Sequence, residues 1–455
     1  MRSFCSRHRR PVLAFLVLLL LGLGALGSSQ QRTSKRNVTA RGSEVRGFKV
    51  EKAARGRRAG RATDRVLVRF MSGVDEGSAE AFLQYHNLGK IRRIPGVGVY
   101  RAQVPAGVTV REIVSILRQS PDVAYAGPDY RTRVFAIPND TYFTAYQYNL
   151  YNRGKAITIG SDIQIQPTSG ADIKATTAWD QTQGDAGTVI AIVDTGVDMT
   201  HAELIHKVVS AGHDFINDDD DATDDNSHGT WVAGIAAAET NNNEGIAGVA
   251  WNCKVLPVKV MDSYGNGYYD QMIEGIIWAA DNGAKVINIS AGGDEDDAAL
   301  EAACQYAYEK NVVVVAAAGN DGTSVSYPAA YDAYVLAVGA TDYNDEVASF
   351  SNPGPQVDVA APGVWILGPA PQWYVGTGNL PYVFASGTSG AAPEVAGLAA
   401  LIISQKPWLT AKQVMNIIRY TADDVNKSSF PGKDDHVGYG RINMERALAP
   451  YKLVK

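Results

Sequence analysis

Four near-continuous apolar segments between residues 188 and 320 constrain the fold of this chain more than any other feature of its sequence. A strand with one face in water alternates polar and apolar residues, whereas a continuous apolar run is typical of a strand buried on both faces of a parallel sheet. The four runs are TVIAIVDTG (188–196), CKVLPVKVMD (253–262), AKVINISAG (284–292) and NVVVVAAAGN (311–320). The helical stretches between them are GTWVAGIAAAE, YDQMIEGIIWAADNG and ALEAACQYAYEK. This alternation predicts an α/β sandwich with a mainly parallel sheet and right-handed crossovers.

A smaller α+β domain is predicted ahead of the sandwich, at residues 64–134. Its segments alternate as strand, helix, strand, helix and extended chain, over 66–70, 78–87, 98–105, 109–120 and 123–134. This order approximates the β-α-β-β-α-β pattern of a ferredoxin-like fold. We therefore expect two folded domains, of which the sandwich occupies residues 135–455.

Residues 1–28 have the composition of an export signal. Arg2, Arg7, Arg9 and Arg10 precede the apolar run VLAFLVLLLLGLGAL, and small residues follow it. The apolar run is short for a membrane span, although an uncleaved membrane anchor stays open as an alternative. We therefore expect a secreted, extracellular protein.

The segment at residues 29–63 is strongly basic and contains little apolar material. It holds eleven Lys or Arg and only two Glu. Such a segment cannot bury enough apolar surface to order itself, so we expect a disordered basic linker. A nucleic-acid-binding arm is the alternative, but an exported precursor rarely meets nucleic acid, so no nucleic-acid partner is predicted.

The cysteines do not form a disulfide framework. Cys5 lies in the predicted leader, which leaves Cys253 and Cys304 in the sandwich. These two residues can form one bridge or remain as buried free thiols, and the fold depends on neither outcome.

Four polar residues stand where a parallel α/β sheet places its functional groups. Asp194 follows a predicted strand, and Asn320 closes another. His228 and Ser389 each open a predicted helix. Since ligands of such sheets bind beyond the carboxyl ends of the strands, we expect these side chains to meet at one edge.

The chemistry of these residue types is complementary. A serine hydroxyl is a weak nucleophile until a base accepts its proton, and histidine has a suitable pKa for that base. A carboxylate fixes the tautomer of the imidazole, and free N–H groups at a helix start suit a developing oxyanion. Each signal alone is modest, because serine and histidine also act as plain helix caps. The chain order Asp, His, Ser is that of subtilisin, and it differs from the orders of chymotrypsin and the α/β-hydrolases.

Residues 136–455 resemble the subtilase family, especially its thermitase-like members. The matching segments are IVDTGVD (192–198), NSHGTWVAGI (226–235), VINISAGG (286–293), VVVVAAAGN (312–320) and SGTSGAAPEVAG (386–397). Residues 64–134 resemble the inhibitory propeptide of the same family. The resemblance implies a subtilisin-like three-layer sandwich preceded by a small ferredoxin-like propeptide domain.

The resemblance also implies an activity. It makes Asp194, His228 and Ser389 a catalytic triad, with Asn320 as the side-chain donor of the oxyanion hole beside the Ser389 backbone N–H. The protein would then be a secreted serine endopeptidase that acts on polypeptides through an acyl-enzyme. It would be a monomer made as a precursor, inhibited by its own propeptide and self-cleaved near Tyr130–Phe135.

A substrate groove is a further implication of the resemblance. Its two edges would be Ser290, Ala291 and Gly292 on one side and Gly265, Asn266 and Gly267 on the other, with Ser326 at the base of the first specificity pocket. Such edges read extended backbone by strand addition. Without the resemblance, these glycines are explained equally well as ordinary turns.

Three positions depart from the family pattern. Trp231 follows the HGT motif where histidine or a similar residue is usual, and Gly390 follows the serine where methionine is usual. Glu394 stands where histidine is usual. Gly390 is expected to free space beside the nucleophile.

Two sets of oxygen ligands predict structural calcium, since Ca²⁺ takes six to eight oxygen ligands. The first set resembles the tighter site of the family and comprises the side chains of Asp140, Glu203 and Asn242 with the carbonyls of Glu239, Glu244 and Ile246. The second set resembles a thermitase-type loop and comprises Asp214, Asn217, Asp219, Asp221 and Thr223. A solvated acidic loop is the alternative for the second set.

Two other functions stay open at this stage. One is a non-catalytic subtilase-fold module that binds peptides, and the other is a membrane-anchored processing protease with narrow targets. The intact set of Asp194, His228, Ser389 and Asn320 favours an enzyme over a binding module.

Overall fold

The computed structural model describes residues 61–130, 137–160, 162–210 and 212–449. Residues 61–130 belong to one compact unit and residues 137–449 to another. The predicted leader and all but the last three residues of the predicted basic linker lie outside the described residues. None of the helices in the described ranges is long and apolar enough to cross a membrane.

The smaller unit is a four-stranded antiparallel sheet with two helices. Its elements are β1 (Arg61–Phe70), α1 (Glu76–Tyr85), β2 (Gly89–Ile94), β3 (Val99–Gln103), α2 (Val110–Leu117) and β4 (Val123–Tyr130). The sheet order is β2-β3-β1-β4, with every pair antiparallel. This arrangement confirms the ferredoxin-like α+β pattern.

Helix α2 shows why this unit folds as predicted. Thr109 and Glu112 form a capping box, in which each side chain accepts a hydrogen bond from the other residue's backbone N–H. The buried positions then recur at helical spacing and pack into the core of the unit, and they are Val110, Ile113, Val114 and Leu117.

The larger unit contains the remaining elements. They are α3 (Phe143–Tyr146), β5 (Ile157–Ile159), β6 (Ile163–Ile165), α4 (Ala175–Ala178), β7 (Val189–Asp194), β8 (His213–Asp214), α5 (His228–Ala237), β9 (Lys254–Lys259), α6 (Tyr269–Asp281), β10 (Val286–Ile289), α7 (Ala298–Glu309), β11 (Val313–Ala317), β12 (Val335–Thr341), β13 (Val357–Pro362), β14 (Ile366–Pro369), α8 (Gln372–Val375), β15 (Tyr382–Ala385), α9 (Thr388–Gln405), α10 (Ala411–Thr421) and α11 (Met444–Leu448). A seven-stranded sheet in the order β13-β12-β11-β10-β7-β9-β8 forms its centre. All neighbouring strands in that sheet are parallel.

Both faces of this sheet are covered, as the apolar runs predicted. In β7, Ile190 and Ile192 pack into a core with α5, α9 and α10 on one face. Ala191 and Val193 pack into a second core with α6 and α7 on the other face. Alternate residues of one strand therefore supply two hydrophobic layers, which confirms the three-layer sandwich.

The strand order identifies the edge where a site can form. From β7 the chain moves out to β8 and β9 on one side and then crosses to β10 on the other, so the topology switches between β7 and β10. Asp194 is the last residue of β7, and Ser290 directly follows β10. In open α/β sheets, ligands bind beyond the carboxyl ends of the strands at such a switch point.

The two cysteines of the sandwich are free and fully buried. Burial raises the pKa of the Cys304 thiol to about 12 and also raises the pKa of Cys253. Both therefore act as small apolar core residues rather than as a bridge.

Candidate active site

Asp194 and His228 are joined by a short hydrogen bond. Nδ1 of His228 lies 2.7 Å from Oδ1 of Asp194, which also accepts the backbone N–H of Thr195 at 2.8 Å. Asp194 is fully buried, and its Oδ2 has no partner among the described residues. An ionised carboxylate only accepts hydrogen bonds, so the proton lies on Nδ1 and the neutral ring keeps Nε2 available as a base.

Two glycines allow the segments that carry Asp194 and His228 to touch. A Cβ on Gly229 would lie only 2.0 Å from the carbonyl oxygen of Gly196. Gly196 itself has φ +104°, a conformation that side chains rarely adopt. The DTG and HGT motifs therefore specify this close approach.

The charge of Asp194 sets the electrostatics of the imidazole. Burial lowers the pKa of His228, but the charge of Asp194 and its hydrogen bond outweigh burial, and Asp224 adds to them. The net result is a pKa above the ordinary value of 6.5. The imidazolium that forms when the ring accepts a proton is thus stabilised.

Asp224 is a supporting residue that the sequence interpretation missed. It is buried, and its Oδ1 accepts the Thr195 hydroxyl at 2.8 Å and the Ser227 N–H at 2.9 Å. Its Oδ2 accepts the hydroxyl and the N–H of Thr230 at 2.5 and 3.0 Å. It thereby joins the loop after β7 to the start of α5. Because Asp224 lies within an acidic run, the sequence pattern did not distinguish it from the exposed carboxylates around it.

Ser389 lies at the second residue of α9 and is 8 % exposed. Its hydroxyl donates to the carbonyl oxygen of Ser290 at 3.0 Å, and the Ser290 hydroxyl donates back to the Ser389 carbonyl at 3.1 Å. This exchange ties the start of α9 to the carboxyl end of β10. In this structure the Ser389 hydroxyl therefore bonds to backbone rather than to His228.

Two N–H donors converge beside Ser389. The side-chain oxygen of Asn320 is held by Thr388, so Nδ2 faces the opposite way. That nitrogen and the backbone nitrogen of Ser389 lie 3.4 and 3.6 Å from the point where a Cβ on Gly387 would stand. A Cβ at 387 would occupy this space, in ordinary contact with both nitrogens and with Oδ1 of Asn320 at 3.6 Å, and two donors around an open space can stabilise an oxyanion.

The predicted residues Ser290, Ala291, Gly292 and Ser326 lie together. The next residue, Gly293, exchanges two backbone hydrogen bonds with Tyr327, at 2.9 and 2.8 Å. A Cβ on Gly292 would lie 2.5 Å from the carbonyl oxygen of Tyr327 and 3.3 Å from Cβ of Ser326. The segment after β10 therefore packs directly against the segment that carries Ser326.

The predicted segment Gly265, Asn266 and Gly267 forms a turn closed by Asp262. Oδ1 of Asp262 accepts the N–H of Asn266 at 2.9 Å, and the backbone N–H of Asp262 donates to the carbonyl of Asn266 at 2.8 Å. Asn226 donates its side-chain amide to the carbonyl of Ser263 at 3.0 Å. The turn is thereby tied to the loop that immediately precedes His228.

The first predicted calcium set brings carboxylates together. Asp140 and Glu203 are buried, and the pKa of Glu203 is raised to about 8, mainly by burial and further by the charges of Asp140 and Glu239. Oε1 of Glu203 accepts the N–H of Ile246 and the hydroxyl of Tyr382, each at 2.8 Å. Its Oε2 has no partner within the described part of the chain.

The rest of that set leaves oxygens available as well. The carbonyls of Glu239, Glu244 and Ile246 accept no backbone hydrogen bond from the described residues. Asn242 accepts the N–H of Glu244 at 2.9 Å, and a side-chain oxygen can accept a second interaction. The described residues contain no group of three or more His, Cys, Asp or Glu suited to a metal. The set instead mixes carboxylate, amide and carbonyl oxygens, which are the donors that calcium prefers.

The second predicted calcium set lies in one loop that is closed by its own hydrogen bonds. Both carboxylate oxygens of Asp214 are used locally: Oδ1 accepts the N–H of Ile216 at 2.7 Å, and Oδ2 accepts the amide of Asn217 at 2.8 Å. Asp219 accepts the N–H of Asp221, which in turn accepts the N–H and hydroxyl of Thr223. These oxygens close turns in their own loop, and the second calcium set stays a prediction.

Glu394 departs from the family pattern without touching the candidate triad. It is fully buried, and it accepts the side-chain amide of Asn149 at 2.7 Å. Burial raises its pKa well above the ordinary value. A protonated carboxyl group therefore fits this core position.

Comparison with known proteins gives a consistent picture. A family model described as "Subtilase family" matches residues 185–440, and one described as "Fervidolysin N-terminal prodomain" matches residues 51–129. The chain is 45% identical over 340 residues to a thermophilic serine proteinase of Bacillus sp. (strain AK1), covering 74% of this chain and 76% of that protein. It is 42% identical over 312 residues to thermitase of Thermoactinomyces vulgaris, covering 68% of this chain and 99% of thermitase. Among solved structures, a protease from Pseudoalteromonas arctica PAMC 21717 matches with a TM-score of 0.58 and 32% identity, covering 68% of this chain and 98% of that one.

Proposed function

This chain belongs to the subtilase family and is a subtilisin-like serine protease, and we propose that it cleaves polypeptides with Asp194, His228 and Ser389 as its triad. The observation that carries the proposal is the 2.7 Å hydrogen bond between Asp194 and Nδ1 of His228. It leaves Nε2 as the base, on the same sheet edge as the Ser389 hydroxyl.

The proposed reaction begins at Ser389. Its hydroxyl leaves the Ser290 carbonyl and gives its proton to Nε2 of His228 while Oγ attacks the substrate carbonyl carbon. His228 then donates the proton to the leaving amine, and an acyl-enzyme remains. Water then gives a proton to His228 as it attacks the ester carbonyl, and His228 returns that proton to Oγ of Ser389 as the ester bond breaks and the acid is released. Asp194 stays ionised throughout and stabilises the imidazolium.

Asn320 and the Ser389 backbone N–H would stabilise the tetrahedral intermediate. Both donors border the open space beside Gly387, and Thr388 fixes the Asn320 amide in the donating orientation. Because the donors are already oriented, little reorganisation is needed when negative charge develops on the oxygen.

The substrate would bind as an added strand. Ser290, Ala291 and Gly292 extend from the end of β10, and the turn at Gly265–Gly267 lies on the side of the loop that leads to His228. In binding of this kind, hydrogen bonds to the extended substrate backbone contribute more to recognition than contacts with substrate side chains. Ser326, packed against Gly292, would form the base of the pocket for the residue before the cleaved bond.

The smaller unit would act as an intramolecular inhibitor. The match of residues 51–129 to a protease prodomain supports a precursor form. Cleavage near Tyr130–Phe135 would separate the two units, although residues 131–136 lie outside the described residues. The basic n-region and apolar core of residues 1–28 support export, so the mature enzyme would act as an extracellular monomer.

One structural calcium ion would stabilise the mature fold. Asp140, Glu203 and Asn242 would hold it with side-chain oxygens, and Glu239, Glu244 and Ile246 with carbonyls. The unpartnered Oε2 of Glu203 beside two other carboxylates supports a cation at this position. Calcium would supply no chemistry to the cleavage; it would fix the loop at residues 239–246.

The proposal is tested by comparing the purified wild-type precursor with its Ser389→Ala variant. Wild type should convert to a shorter form and hydrolyse an unstructured protein, whereas Ser389→Ala should do neither. A Ser389→Ala precursor that matures alone in pure solution would rule out self-processing. A wild-type protein that matures but cleaves no peptide in a diverse library would favour the peptide-binding module.

A further inference from the structure

The indole of Trp231, on the helix that begins at His228, packs between β14 and the residue next to Ser389. Trp231 is in the first turn of α5, three residues after His228, and is 4 % exposed. Its ring centroid lies 5.9 Å from that of His228, with 48° between the ring planes. Its Nε1 donates to the carbonyl oxygen of Ile366 at 3.1 Å, which fixes the orientation of the ring.

Two glycines make room for this side chain. A Cβ on Gly368 of β14 would lie 2.2 Å from Cδ1 of Trp231. A Cβ on Gly390 of α9 would lie 2.8 Å from Cη2 at the opposite end of the indole. The ring thus spans the whole distance from β14 to the residue next to Ser389. The space that Gly390 was expected to free beside the nucleophile is filled by Trp231.

We propose that Trp231 is a positioning residue that sets the separation of the His228 imidazole and the Ser389 hydroxyl, and that Gly390 is required because the indole occupies its side-chain space. The inference rests on the proposed function, since it concerns the same triad. It makes the two departures from the family pattern, at 231 and 390, a single compensating pair.

The physical reason is that the two reactive groups come from different helices. His228 is held by Asp194 on β7, and Ser389 is held by Ser290 at the end of β10. The Ser389 hydroxyl must still turn from the Ser290 carbonyl to Nε2 of His228. A misplacement of about 1 Å in such an approach can cost roughly 10²-fold in rate. A rigid ring in contact with both segments limits this misplacement.

A purely space-filling role for Trp231 predicts something different. Trp179 offers a matched control, because it is also a buried indole that donates to a backbone carbonyl, that of Val249, at 2.8 Å. Trp179 contacts Phe143 and Trp251 and touches neither His228 nor Ser389. Trp→Phe at either position removes one hydrogen bond and similar volume, so both variants should lose stability.

The experiment measures kcat and KM per titrated active site for wild type, Trp231→Phe, Gly390→Met, the double variant and Trp179→Phe. Counting active sites with an organophosphonate probe removes unfolded molecules from the comparison. We expect Trp231→Phe and Gly390→Met each to lower kcat by about 10–10²-fold with little change in KM. The double variant should recover most of that loss, because the shorter Phe vacates space that Met fills. Trp179→Phe should keep the wild-type kcat.

The outcomes separate the inference from the proposed function. If wild type is titrated and active but Trp231→Phe loses no more kcat than Trp179→Phe, the positioning role is wrong. If the losses of Trp231→Phe and Gly390→Met multiply in the double variant, the compensating pair is wrong. If wild type binds no probe at Ser389, the proposed triad fails, and the positioning role fails with it.

Discussion

The side-chain oxygen of Asn320 accepts hydrogen bonds from both the backbone N–H and the hydroxyl of Thr388, at 2.8 and 2.9 Å. Thr388 is the first residue of α9 and directly precedes Ser389. It also orients the side-chain amide of Asn320, which follows β11. This contact explains how Asn320 and Ser389, 69 residues apart in the sequence, border one space, where we propose that they act as oxyanion donor and nucleophile.

The first prediction concerns this donor. Asn320→Ala should lower kcat by about 10²–10³-fold, which is the magnitude established for removal of such a donor from subtilisin. KM should change little, because the lost interaction forms in the transition state. Thr388→Val keeps the backbone N–H and should lose much less, whereas Thr388→Ser should match wild type. Equal losses for Asn320→Ala and Thr388→Ser in assays with a chromogenic peptide would contradict this assignment.

The second prediction concerns pH. The pKa of His228 lies above its ordinary 6.5, and in the proposed mechanism the neutral ring is the base, so activity should fall as the pH drops through the raised pKa. The acid limb of kcat/KM should therefore have its midpoint above pH 6.5. Asp194→Asn removes the charge that raises this pKa, so the midpoint should move down while kcat falls by about 10⁴-fold. An acid limb at the same pH in both proteins would show that another group controls it.

The third prediction concerns calcium. In the Ser389→Ala background, which prevents self-digestion, a chelator should lower Tm. At free calcium about 100 times Kd, the bound ion would contribute about 2.7 kcal/mol. Asp140→Asn should remove most of the difference between the Tm measured with calcium and the Tm measured with chelator. Asp219→Asn in the acidic loop should preserve it, and loss of the difference in Asp219→Asn alone would place the ion in the other loop.

The fourth prediction concerns stability. Arg419 donates two hydrogen bonds to the buried carboxylate of Asp358, from Nε at 2.7 Å and from a terminal nitrogen at 2.9 Å. Arg419→Met leaves this carboxylate buried without its cation and should cost about 3–5 kcal/mol in unfolding free energy. Lys310→Met breaks an exposed pair with Asp281 and should leave the free energy of unfolding nearly unchanged. Similar denaturant midpoints for the two variants would contradict the prediction that the buried pair contributes more to stability than the exposed pair.

Much of the fold was predictable because the buried strands are continuous in sequence. The runs that became β7, β9, β10 and β11 are apolar on both faces, which is typical of strands in a parallel sheet that is covered on both sides. Strand β2 was not predicted, because GKIRRI is basic and only Ile91 in it is even partly buried. Its place is fixed by pairing with β3, which is a tertiary effect that a local pattern does not contain.

The residues of the proposed site could be selected from the sequence, whereas the residue that supports them could not. Asp194, His228, Ser389 and Asn320 stand in recognisable motifs, but Asp224 was hidden among exposed acidic residues. The same acidic run predicts a calcium loop, but the sequence does not show which of its carboxylates close their own turns. The contact between Trp231 and Gly390 joins residues that are distant in the chain, so only coordinates reveal it.

The most direct test of the proposed triad is mass spectrometry of the mature protein after reaction with an organophosphonate probe. We expect one adduct per molecule, located at Ser389, because His228 activates that hydroxyl. An unlabelled wild-type protein, or an adduct on any other residue, would contradict nucleophilic catalysis by Ser389.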